Sequence, residues 1–302
     1  MQSRNPILAA LGLIIVAMAF IGFTDNYVRR IAEEAGIWQF HFVRATMVVP
    51  ILVACILLMK LEWRPKRFWA VTLRSLMIAI SMYMYFGALG VMPAAVAGAG
   101  LFTSPIWVLI LTIVVFRAPV GIWRILSVAV GFGGVVLILN PGESAFDLVT
   151  FMPALAGAFY AAGAVMTRRL CADETTTAML MNMFVTLGVF GMCGVVVMSL
   201  TVNGSSFFTM GWQPMSEQFL WLTLMQAVGS LIGVACIVRA YQIAEASYVA
   251  VFEYVFLIFA VFWGYVLWGD LPSLTGFFGI VLIVGAGTVI VLRSRSAKER
   301  SI

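Results

Sequence analysis

Ten apolar runs, each roughly 18 to 25 residues long, follow one another along this chain with little between them. They lie at 7–28, 37–59, 69–91, 94–116, 120–139, 150–168, 175–200, 218–242, 246–268 and 274–292. A run of that length is what a helix needs to cross about 30 Å of hydrocarbon. Composition points the same way: 10% of the residues are charged, where soluble domains carry about 25%, and mean hydropathy is +1.06. The chain therefore reads as an all-α membrane protein of ten transmembrane helices, and a water-soluble globule is excluded. The longest connection, about 201–217, is too short for a separate domain.

The first run follows Arg4 and is too long for a signal-peptide core, with no small-residue cleavage site before Glu33-Glu34-Ala35-Gly36, so it stays as helix 1. Cys55, Cys171, Cys193 and Cys236 have neither paired nor metal-like spacing, which implies no disulfide, metal or cofactor. The net charge of +5 sits at helix ends, where topology explains it better than nucleic acid does. With the N-terminus inside, Arg4, Lys60, Arg64, Lys66, Arg67, Arg117, Arg124, Arg168, Arg169, Arg293, Arg295, Lys298 and Arg300 face the cytoplasm, and only Arg29 and Arg30 face out. Both termini are then cytoplasmic, in the inner (plasma) membrane.

The stretch from Tyr83 to Trp107 organises the first half. A connection of two or three residues at Met92 and Pro93 permits only an antiparallel helix pair. The small residues Ala94, Ala95, Ala97, Gly98, Ala99 and Gly100 then allow close helix contact in lipid. Pro105 is expected to bend the helix interior, and Tyr83, Tyr85 and Trp107 to wall a cavity. A shift of 152 positions lays Ala88 and Ala94 on Ala240 and Ala246, and 153 lays Pro119 on Pro272 and Gly134 on Gly287. A shift of 139 lays Ala19-Phe20 on Ala158-Phe159 and Arg29-Arg30 on Arg168-Arg169. We read two five-helix repeats, 1–145 and 146–302. Five is odd, so the halves are inverted, as in secondary transporters that rock about a midplane site.

Polar residues within these spans are the candidates for chemistry. Asp25 and Asn26 close helix 1, where an interfacial position accounts for them. His41 and Arg44 share a face of helix 2. Arg44 could snorkel outward or face the cavity, and His41 could carry a proton or be satisfied by a neighbour. Arg74 is close enough to a helix end to snorkel and is given no role. Tyr83 lies one turn from Gly87, a ring with free space above it. Tyr160, Asn182, Gln226 and Ser230 put hydrogen-bonding groups at membrane depth, where each must be paired or wet. Glu253, with Tyr254 beside it, interrupts an apolar run and has no stem with which to reach water. It faces either a cavity or a structural cation such as Arg239.

The ten spans, the helix hairpins at Ala88/Ala94 and Ala240/Ala246, Pro105, and the Gly269-Asp270-Pro272 and Gly285/Gly287 run resemble the EamA-type branch of the drug/metabolite transporter superfamily. Phe116-Arg117 replaces the family's Gly-Glu after helix 4, and the helix 9 proline is missing near Phe256 and Leu257. The resemblance implies a secondary transporter working by alternating access, and likeness to bacterial aromatic and neutral amino-acid exporters implies export of such solutes. The substrate-binding candidates are Tyr83, Trp107, Tyr160, Asn182, Gln226, Glu253, Tyr254, His41 and Arg44, with Gly98, Gly100 and Pro105 for packing and gating. Its partners are then a small-molecule substrate and the bilayer, without nucleic acid, and a monomer suffices. A proton-coupled exporter of lipophilic cations is the alternative within transport. A membrane enzyme or receptor is the alternative outside it, opposed by the lack of a catalytic cluster, an ATP-binding loop or a sizeable external domain.

Overall fold

The computed structural model describes residues 6–91, 94–115, 117, 120–139, 148–202, 204–269 and 274–299. Met92, Pro93, Phe116, Pro119, Asp270, Pro272 and Arg4, on which parts of the sequence argument rested, lie outside them. The elements are α1 (Pro6–Asp25), α2 (Val28–Glu34), α3 (Ile37–Met59), α4 (Phe68–Val91), α5 (Ala94–Leu101) and α6 (Ser104–Ile110), which runs into a π-helical turn (Leu111–Val115). Next come α7 (Ile122–Leu139), α8 (Leu148–Arg169), α9 (Thr176–Thr201), α10 (Glu217–Ile243), α11 (Ala246–Phe252), α12 (Val255–Trp268) and α13 (Leu274–Glu299). Among the described residues six helical stretches are long and apolar enough to span a bilayer and three are shorter apolar ones; with α8 they fall on the ten runs. Large apolar side chains cover the outer surface, among them Leu57, Leu58, Trp69 and Leu200, as a lipid-facing surface requires.

Three loop contacts fix the relative direction of the two halves. Glu174, after α8, accepts from the backbone amides of Lys66 (2.8 Å) and Arg67 (2.7 Å), just before α4. The end of α8 and the start of α4 therefore share one end of the bundle. At the other end, the backbone amide of Ile37 donates to the Phe207 carbonyl (2.9 Å). There Gln39 also donates to the Gln213 carbonyl and accepts from the Gln213 amide, both at 2.8 Å. Since α1 begins at the end where α4 begins and α8 finishes there, α1 and α8 run in opposite directions: the halves are inverted. The principal packing partners repeat that symmetry. Helix α1 packs on α10 as α8 packs on α4, α5 and α6 pack on α8 as α11 and α12 pack on α1, and α3 meets α9 as α7 meets α13.

Two of the ten spans are broken. Helix 4 breaks at Phe102 and Thr103, between α5 and α6, and helix 9 at Glu253 and Tyr254, between α11 and α12. Pro105 falls in the first turn of α6, where a missing amide costs nothing, so it starts a helix instead of kinking one. The Thr103 hydroxyl donates to the Gly100 carbonyl (2.8 Å), taking up one group that the break releases. Here the chain crosses α8 closely: a Cβ on Gly100 would lie 2.2 Å from Pro153 Cβ, and one on Gly157 would lie 3.0 Å from the Gly100 and Leu101 carbonyl oxygens. Glycine is required because no side chain fits between these backbones.

The connection between α9 and α10 is more than a linker. Phe207 is buried, and Phe207 and Phe208 fill the space beside Gly90 and Gly87 on α4. The expected free space above Gly87 is thus occupied by a ring from a distant loop.

Candidate functional site

Helices from both halves enclose one central cavity of about 100 Å³, room for several waters at about 10–15 Å³ each. Its walls are mostly apolar, with Met18, Ile78, Met82, Phe102, Phe184 and Phe256 among them. Polar groups enter in two clusters. The first holds Asp25 at the end of α1, Arg44 on α3, Tyr85 on α4 and Gln226 on α10. The Tyr85 hydroxyl donates to Asp25 Oδ2 (3.1 Å) and the Gln226 amide to Asp25 Oδ1 (3.1 Å). Arg44 reaches His41 Nδ1 (2.9 Å), and its guanidinium lies over the rings of Phe40 (5.1 Å) and Phe86 (4.9 Å).

The second cluster lies toward the end where α4 begins. Glu253, in the break of helix 9, accepts from the Tyr160 hydroxyl on α8 (2.5 Å) and from the Tyr241 hydroxyl on α10 (2.9 Å). Arg74 on α4 and Thr167 on α8 complete it, with Arg74 Nε donating to Thr167 Oγ1 (3.0 Å). Arg74 and Gln226 are 152 positions apart, the spacing of Ala88 and Ala240. They are the repeat-equivalent groups on α4 and α10, each reaching across to the opposite half. Among the described residues neither Arg44 nor Arg74 forms a salt bridge, whereas Arg168 pairs with Glu245 (3.8 Å).

Of the sequence candidates, Arg44, Tyr85, Tyr160, Gln226, Ser230 and Glu253 line this cavity. The others lie elsewhere. Trp107 is 39% exposed on the outer surface of α6, not in a cavity wall. The Tyr83 hydroxyl donates to the Leu187 carbonyl (2.8 Å), and its ring stacks on Trp38 (4.9 Å) and meets His41 (4.4 Å), which places it behind the lining. His41 stands behind Arg44, and its buried Nε2 has no partner. Asn182 holds α9 to α4 through Thr72 Oγ1 (3.2 Å). Tyr254 is buried between Gly131 and Phe102. Gly98 is buried beside the Phe102 ring, and Gly100 is at the α8 crossing.

Two readings of the sequence need correction. Asp25 is only 5% exposed and faces the cavity instead of the interface. Arg74 is 3% exposed, so its head turns inward and does not snorkel. Of the two alternatives left open for Glu253, the structure has the cavity: it is in the lining and pairs with two tyrosines, while Arg239 lies by Gln242 (3.5 Å).

A mostly apolar cavity with two polar clusters, shared by two inverted halves whose helices break at matching places, is the architecture of a secondary transporter. The EamA-like transporter family matches residues 8–140 and again 148–292, so the chain belongs to that family. It is 25% identical to a riboflavin transporter of Vibrio cholerae over 99% of this chain and 98% of that protein. To an S-adenosylmethionine uptake transporter of Rickettsia conorii it is 24% identical, over 76% of this chain and 73% of the relative. A crystal structure superposes with a TM-score of 0.73 at 18% identity, covering 96% of this chain and 99% of the other, which shows the fold. The protein is a multi-pass membrane transporter of a small molecule, not an enzyme. Export of amino acids is not what these relatives' names describe.

Proposed function

We propose that the halves 1–145 and 146–302 alternate access to the central cavity and carry a neutral amino acid with a large, aromatic or branched side chain out of the cytoplasm. The observation that carries this reading is the presence of acidic and cationic side chains together inside apolar walls. Asp25 and Glu253 offer acceptors to an ammonium, Arg44 and Arg74 offer donors to a carboxylate, and Phe102, Phe184 and Phe256 offer ring faces to the side chain. A lipophilic cation is the weaker reading, since two guanidinium groups in the lining would repel it. The protein would sit in the inner membrane with both termini cytoplasmic, and one chain would suffice. Uptake of a labelled panel into liposomes containing the purified protein tests the substrate. Phenylalanine and leucine are expected to move faster than alanine. Movement of only flavins, adenosyl compounds or cationic dyes would overturn the amino-acid reading and leave the transporter standing.

A further inference from the structure

Arg74 is the group in the cavity whose chemistry is least used by the protein itself. Its side chain is 3% exposed and always protonated, and it points into the cavity from α4. Nε is taken by Thr167 Oγ1 (3.0 Å), whose own proton goes to the Gly163 carbonyl (2.8 Å). The buried Nη1 has no hydrogen-bond partner, and among the described residues no carboxylate pairs with the head. Arg44 differs, because a histidine nitrogen and two aromatic rings already receive it. A buried guanidinium with idle donors is costly in a membrane interior, and a fixed cation kept there against that cost serves a ligand.

Tyr160 lines the same cavity as Arg74, and its hydroxyl is committed to Glu253 (2.5 Å). A cation and an anion thus face the same space without forming an ion pair.

We propose that Arg74 is the anion subsite of the transported molecule: its free guanidinium edge receives a carboxylate, while Glu253 receives a positive group on the same ligand. This assignment rests on the transporter reading and narrows it, since the substrate must then carry a carboxylate. Thr167 positions Arg74 by holding Nε, leaving the Nη edge toward the ligand. A planar two-oxygen anion suits that edge, because guanidinium and carboxylate meet through parallel hydrogen bonds.

The test uses purified full-length protein and three probes: phenylalanine, phenylalanine amide without the carboxylate, and 3-phenylpropionate without the ammonium. Thermal stabilisation is read in detergent and counterflow in liposomes. In the wild type, phenylalanine and 3-phenylpropionate stabilise, and the amide binds at least about tenfold more weakly than phenylalanine, as loss of a charge-assisted hydrogen bond predicts. In Arg74→Gln that preference collapses to within about twofold, and Arg74→Lys, which keeps the charge without the fork, recovers part of it. No stabilisation of the wild type by either carboxylate probe overturns the proposal without any variant, so a misfolded Arg74→Gln cannot shelter it. A wild-type preference retained in Arg74→Gln overturns it as well. Arg74-dependent stabilisation without phenylalanine counterflow would keep the subsite and reject the amino-acid substrate. Phenylalanine counterflow with unchanged discrimination in Arg74→Gln would reject the subsite alone.

Discussion

Replacing Gly100 by alanine probes the point where the broken helix 4 crosses α8. The added Cβ would lie 2.2 Å from Pro153 Cβ and 2.7 Å from both Pro153 C and Ala154 N. Ordinary carbon contacts are about 3.5–4.0 Å, so α5 and α8 must separate by more than about 1 Å. Two of the three opposing atoms are backbone and the third is a proline ring atom, so no side chain can rotate away. Overpacking of this kind costs about 1–3 kcal/mol, a loss of several degrees in midpoint. The sequence treated Gly98 as equivalent, but a Cβ there meets only side-chain atoms at ordinary contact distance, the Phe102 ring edge at 3.4 Å and Leu257 Cδ2 at 3.9 Å. Gly98→Ala therefore serves as the matched control. Melting in detergent followed by size-exclusion chromatography is expected to show Gly100→Ala clearly destabilised and Gly98→Ala near wild type. Equal midpoints for Gly100→Ala and wild type would show that the crossing is looser than described, and would remove the packing argument for the helix 4 break.

Three further outcomes follow from the site. Glu253→Gln keeps an acceptor oxygen for one of Tyr160 and Tyr241, presents an NH2 donor to the other and loses the charge with little change of shape, so the protein is expected to fold while counterflow of phenylalanine falls by about tenfold or more; Arg239→Gln, which touches neither, is expected to transport normally, and the reverse pattern would restore the Glu253–Arg239 pairing. Trp107→Ala should leave flux and the phenylalanine-to-alanine preference unchanged, because this ring faces outward; a selective loss for phenylalanine would place it at the substrate after all. For topology, on a background lacking the four native cysteines, Glu217→Cys is expected to label from outside whole cells and Lys66→Cys only after permeabilisation, and the opposite result inverts the assigned direction of transport.

Span lengths were legible in the sequence because lipid leaves the backbone a single local solution, so runs of apolar residues translate directly into helices. The inward face of each helix was not. A helix apolar all round carries no amphipathic stripe, and nothing in its pattern separates Trp107, which meets the outside, from Phe102, which meets the cavity. Tyr160, Gln226 and Glu253 were recognisable because polar atoms at depth need partners regardless of direction. Asp25 and Arg74 were missed because nearness to a helix end was taken as access to water, whereas packing of the opposite half closes over both. The helix 9 break at Glu253 has no proline or glycine to announce it. Its backbone amides stay in local turn bonds, Glu253 N to the Val249 carbonyl (3.1 Å) and Tyr254 N to the Val251 carbonyl (3.3 Å), so no breaker residue is needed.

The central claim is that one cavity between the halves opens to each side of the membrane in turn and holds the substrate while it does. Ser230, in the lining on α10, is the position to ask, as Ser230→Cys on the cysteine-free background in liposomes of known orientation. Alternating access predicts labelling by an impermeant thiol reagent added to either side, and slowing of both reactions by saturating phenylalanine. Labelling from one side only, or at rates that phenylalanine leaves unchanged, would contradict it.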